Sequence, residues 1–212
     1  DPSVADLHRG QPEAWVFEGV PARRWNRAGY RYAPPAADAR ELNDIPADVL
    51  ERMRDEGYSF WLSGRAEKEG DVYTFEWGLP LTVDNDACIN GTDETEGLVV
   101  ANNAVVEAEI TVHLDHLFFD SYATDEPSMR FDPIAAVADS EGRVTLEALA
   151  SQSLSDMRGL DGEPLTDEAG DPVVYDPGSL DLAERNLQEF VLAAATTTGH
   201  FNGEGHCEYT RE

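Results

Sequence analysis

The chain carries two cysteines, Cys88 and Cys207, 119 positions apart. Joined, they require any fold of this chain to bring the acidic stretch 84–96 against the C-terminal segment 199–207. Composition favours the bond. Lys68 is the sole lysine, and 43 acidic residues against 15 basic ones leave a formal net charge of −28. An acidic, lysine-poor chain with one cysteine pair suits an oxidising compartment, where disulfides persist. Closing so long a loop is worth about 4–5 kcal/mol in the chain-entropy model. The expectation is therefore an exported protein, whether periplasmic, cell-surface or extracellular. Its start at Asp1-Pro2-Ser3 reads as a processed end, and a lipid anchor ahead of it belongs to the same expectation.

Charge also narrows the partners. A surface this negative repels phosphate backbones and anionic bilayers, so nucleic acid is excluded as a partner. It attracts cations and keeps the chain soluble at high ionic strength, as in a saline habitat. No run of about 18 apolar residues exists to span a bilayer. With 212 residues, 41% of them hydrophobic, the chain is long enough for one domain over 1–212, with 1–12 as a flexible N-terminal segment. Asn90-Gly91-Thr92 matches a glycosylation sequon by chance.

Hydrophobic periodicity is β-like first and helical afterwards. Segments 13–19 and 28–33, with Trp15, Phe17, Tyr30 and Tyr32, read as strands. Asp44 caps a helix through about Glu56 whose apolar face is Val49, Leu50 and Met53, and Gly57 ends it. Segments 58–66 and 71–79 form the clearest hairpin, turning at Glu67-Lys-Glu-Gly70. A second strand pair is expected from 98–100 and 105–113 across Asn102-Asn103. Helices follow over 131–138, 144–157 and 179–198, the last capped by Ser179 and ended by Gly199. The fold class is α+β: an antiparallel sandwich or sheet in the N-terminal two-thirds and a helical C-terminal third.

Four of the five histidines fall in two motifs, His113-Leu-Asp115-His116 and His200-Phe-Asn-Gly-Glu204-Gly-His206. Imidazoles and carboxylates at this density suit one zinc or copper ion, with His113, Asp115, His116, His200, Glu204 and His206 as candidate ligands. If the strand persists through 115, His113 and Asp115 share a face; if it breaks at Leu114, a turn pairs His113 with His116. Leu117, Phe118 and Phe119 back the first motif with apolar bulk, and Gly203 and Gly205 let the second curl through positive φ. Against this stand the ordinary alternatives, a buried hydrogen-bonded histidine and one charged at a helix C-terminus. Neither spacing is a zinc fingerprint.

Residues 137–148 resemble an EF-hand loop. Asp139 and Glu141 occupy its third and fifth positions and Gly142 its turn. Val137 and Ala148 stand where the first and last ligands belong, and Glu147 is one place early. A helix-loop-helix relic without tight calcium fits better than a calcium site built on Asp139, Glu141 and Glu147.

From about Asn43 onward the chain resembles a group of uncharacterised exported bacterial proteins. The resemblance is carried by His-x-Asp-His-Leu-Phe at 113–118, the EF-hand-like segment, and Gly-His-Phe-x-Gly-Glu-Gly-His-Cys at 199–207. It implies a single exported domain and adds no activity.

No nucleophile elbow, phosphate loop or dinucleotide fingerprint is present. The leading reading is an exported metal-binding protein for capture, delivery or structural stabilisation, without catalysis. The alternative is a surface or assembly protein with structural histidines, making calcium- or salt-dependent contacts with a protein partner or with itself. A third reading is a zinc hydrolase with Glu204 as general base.

Overall fold

Alternation at 58–66 and 71–79 produces the longest strand pair. In the computed structural model, which describes residues 2–10 and 15–211, these strands are Phe60–Lys68 and Asp71–Leu79. They turn through Glu69 (φ 56°) and Gly70 (φ 94°), two successive left-handed residues of the kind a tight hairpin needs. In chain order the elements are β1 (Ser3–Val4), β2 (Arg23–Trp25), β3 (Tyr30–Tyr32), β4 (Arg40–Glu41), α1 (Ala47–Glu56), β5 (Phe60–Lys68), β6 (Asp71–Leu79), β7 (Val83–Asp86), β8 (Leu98–Val100) and β9 (Ile110–Val112). They continue with α2 (Asp132–Ala135), β10 (Arg143–Val144), α3 (Leu187–Ala194), β11 (Gly199–Phe201) and β12 (Glu208–Arg211). The class is α+β, more sheet than helix.

The chain divides into two compact units. One comprises Asp1–Trp61, Gly78–Val112 and Gly199–Glu212; the other comprises Leu62–Trp77 and His113–Thr198.

In the first unit β7 is central, paired antiparallel with β3 on one side and β12 on the other. Its period-two alternation sorts the chemistry. Val83 and Asn85 are buried, whereas Asp84 meets Arg31 at 3.5 Å and Asp86 pairs with Arg27. The Arg27 guanidinium holds the Asp86 carboxyl down at about 2. Helix α1 buries Leu50 and Met53 and ends at Gly57, whose φ of 71° closes the left-handed cap. Its N-cap is Pro46 instead of Asp44, and no side chain caps it. The disulfide joins Cys88 to Cys207. Next to it the Ile89 N–H donates to the His206 carbonyl at 2.9 Å.

In the second unit β6 lies between β5 and β10, with β10 parallel to it. Trp77, 1% exposed, donates its indole N–H to the Val144 carbonyl at 3.0 Å. Helix α3 supplies the core. Leu187 and every residue from Phe190 to Ala194 are buried, and Phe190 packs edge-on against Tyr175 at 5.1 Å. Burial pushes the Tyr175 hydroxyl well above its ordinary pKa.

Several expectations change. Trp15, Val16 and Phe17 lie in no strand and are exposed; 13 and 14 fall outside the described residues. Strands β8 and β9 do not pair with each other: β8 pairs with β2 and β9 with β11, partners distant in sequence. The described strands form five small sheets, and β1–β4 and β6–β10 are parallel, so a single antiparallel array is replaced by short mixed pairings. The C-terminal third is mostly not helical. Over 144–157 only a 3-10 turn, Glu147–Ser151, appears, because tertiary contacts take the backbone: Leu154 donates to Arg185 and accepts from Tyr175. Helix α3 begins at 187 because Asn186, not Ser179, caps it, accepting the Glu189 N–H at 2.9 Å. Its end also shifts: Thr196, Thr197 and Thr198 hydroxyls take the carbonyls of Ala193, Ala194 and Ala195, and Gly199 opens a strand.

Between α2 and the 3-10 turn Glu147–Ser151, residues 137–146 form turns and the short strand β10. Asp139 Oδ1 accepts the Glu141 and Arg143 N–H groups and Oδ2 meets Arg143 Nε at 2.9 Å. Its carboxylate thus closes its own turn, and the Arg143 and Glu141 amides lower its pKa. Glu141 pairs with Arg143 at 3.3 Å and Glu147 opens the 3-10 turn.

Candidate metal centre

One ladder ends beside both histidine motifs in the chain. Strands β9 and β11 run antiparallel, with Val112 opposite Gly199, Thr111 opposite His200 and Ile110 opposite Phe201. The His113 N–H donates to the Thr198 carbonyl at 2.7 Å, extending the ladder one step. In an antiparallel pair, positions 111 and 113 share a face with 198 and 200. His113 thus follows β9 directly, and His200 lies within β11.

After His113 the chain leaves the strand for a 3-10 turn, Leu114–Phe118. With three residues per turn, positions i and i+3 eclipse. The His113 and His116 rings accordingly stand 5.9 Å apart between centroids. Phe119 packs on the His116 ring at 5.1 Å, and the Tyr122 hydroxyl donates to the His116 carbonyl at 2.6 Å. One ring nitrogen from each of His113, His116 and His200 lies within 4.8 Å of the other two, a trio able to hold a metal ion. His200 is 3% exposed, and His113 and His116 are half-buried.

The tautomer of His116 follows from its neighbours. Its Nδ1 lies 2.9 Å from Thr197 Oγ1. The Thr197 hydroxyl has one proton and donates it to the Ala194 carbonyl at 2.8 Å. In the neutral ring Nδ1 must therefore be the donor, which puts the lone pair on Nε2. Such an outer partner fixes both tautomer and ring orientation in metal-binding histidines. Sequence patterns do not single out Thr197; the run of three threonines before Gly199-His200 was the available signal. On the reading that the trio holds zinc, replacing Thr197 with valine weakens binding about tenfold while serine keeps it. Isothermal titration of the two variants measures this, and equal affinities would contradict the role.

The other candidate ligands lie outside the trio. Asp115 is exposed on the 3-10 turn. Glu204 Oε2 stands 3.2 Å from His200 Nδ1, and its side chain is 75% exposed. His206 is exposed, its ring centroid 5.0 Å from that of His200. Of the loop glycines, Gly203 takes φ 88°, as expected. Gly205 does not; it is needed for close approach, because a Cβ there would lie 2.0 Å from the Ile89 carbonyl oxygen. Gly199 is similar: a Cβ would meet the Tyr30 and Tyr32 hydroxyls at 2.2 and 2.3 Å. Burial raises the Tyr30 hydroxyl's pKa, partly offset by the neighbouring Tyr32 hydroxyl.

No protein-family model, curated protein or solved structure matches the chain.

Proposed function

We propose that the chain binds one transition-metal ion, zinc or copper, through His113, His116 and His200, and serves metal capture, delivery or stabilisation outside the cytoplasm. The observation that carries the reading is the convergence of three imidazole nitrogens within 4.8 Å. Nitrogen ligands sit about 2.0–2.1 Å from zinc, so two of them on a tetrahedral ion are about 3.4 Å apart. Closing from the present spacing asks each ring to move by less than about 1 Å, within reach of side-chain rotation. Three neutral imidazoles without thiolate or carboxylate suit borderline ions and disfavour calcium and magnesium.

The setting supports export. A disulfide is present, and among the described residues no helix is long and apolar enough to cross a membrane.

Zinc titration of the metal-free protein tests the reading. The expected result is one ion per chain, with affinity falling more than about a hundredfold in His116→Ala, since a ligand replacement costs at least as much as an outer-shell one. Unchanged stoichiometry and affinity in the variant would overturn it.

A further inference from the structure

We propose that the charge of Glu204 tunes this site toward divalent over monovalent ions, an inference that rests on the metal reading above. The trio contains imidazoles and no carboxylate. Glu204 brings a carboxylate oxygen to 3.2 Å from Nδ1 of His200, whose ring is buried. The contact is one of charge and proximity: an anionic oxygen stands beside the ring that supplies one of the three ligand nitrogens. It also sets a full negative charge one imidazole away from the ion.

The loop that carries Glu204 is held on several sides. Asn202 accepts the Glu109 N–H on its side chain and donates its own N–H to the Glu109 carbonyl, at 2.7 and 2.9 Å. Phe201 donates to the Gly205 carbonyl at 2.8 Å, closing the loop across its base. Gly205 lies against the Ile89 carbonyl, and the Cys207 bridge follows two residues later. An exposed glutamate is ordinarily free to sample many rotamers. Here the backbone on both sides is held, which keeps the base of the side chain close to His200.

The consequence is a charge preference. A fixed negative charge attracts a dication with twice the energy it gives a monocation at the same place. Removing it therefore changes the logarithm of divalent affinity twice as much as that of monovalent affinity. Solvent screening at an exposed side chain keeps the effect moderate.

The test compares wild type with Glu204→Gln, which keeps size and a hydrogen-bond acceptor but removes the charge. The probes are zinc(II), and copper(I) maintained with ascorbate so that no thiol exchanges with the disulfide. Zinc affinity should fall about tenfold and copper(I) affinity about threefold. Equal losses for both ions, no loss for either, or copper(I) binding absent from both proteins would overturn the proposal. A wild-type protein that binds no zinc, or whose binding is untouched by His116→Ala, would instead remove the metal reading itself.

Discussion

Reducing the Cys88–Cys207 bridge in metal-free protein lowers stability by about 4–5 kcal/mol, the largest loss expected from any single bond here. The bridge spans 119 residues, and the entropy regained by the unfolded chain grows with the logarithm of that length. Native domains hold roughly 5–15 kcal/mol in all. Losing this much should bring the reduced protein close to its unfolding threshold. Local structure compounds the effect, because Cys88 is fully buried and the Ile89–His206 hydrogen bond lies beside it. Urea unfolding of oxidised and reduced protein, with chelator in both, reads the difference. A loss under about 1 kcal/mol would show that the folded contacts alone hold the two segments together.

Gly205→Ala should cost about 3–5 kcal/mol, far more than an ordinary loop substitution. A Cβ at this position meets three backbone atoms: the Ile89 oxygen at 2.0 Å, the Phe201 oxygen at 2.3 Å and the Gly91 nitrogen at 2.6 Å. None is the end of a flexible side chain, so relief requires the loop to lift from Ile89. That movement breaks the Phe201–Gly205 and Ile89–His206 hydrogen bonds, each worth about 1 kcal/mol net. Gly203→Ala is the control. Its φ of 88° is strained for alanine, but nothing lies within 4 Å of the added carbon, so about 1 kcal/mol is expected. Urea midpoints of the two variants should differ widely; similar midpoints would mean that the close approach carries no energetic weight.

The sequence made the local features readable and left the distant pairings hidden. The β5–β6 hairpin announces itself through alternation and a turn ending in Gly70, and α1 through a proline start and a glycine end. With only two cysteines, the bridge had one possible intramolecular partner. Strands β8 and β9 are three residues each, too short to choose partners by pattern, and neighbours in sequence were a poor guide. The helical stripe over 179–198 was real only from 187, because Asn186 offered a cap that periodicity ignores.

The candidate site shows the same division. Both histidine motifs are conspicuous in the sequence, but which nitrogens converge depends on the register of β9 against β11. Shifting that register by one residue would turn His200 to the opposite face from His113. The 3-10 turn then selects His116 over Asp115, since it places i+3 above i. Glu204 and His206 follow β11 on a loop and lie outside the trio, near the ring of His200.

X-ray absorption at the zinc edge of the loaded protein tests this account most directly. Three imidazole rings around the ion predict a nitrogen and oxygen shell at about 2.0–2.1 Å, with outer-shell scattering that loses one ring in His200→Ala. A first shell containing sulfur, or imidazole scattering unchanged by His200→Ala, would contradict it.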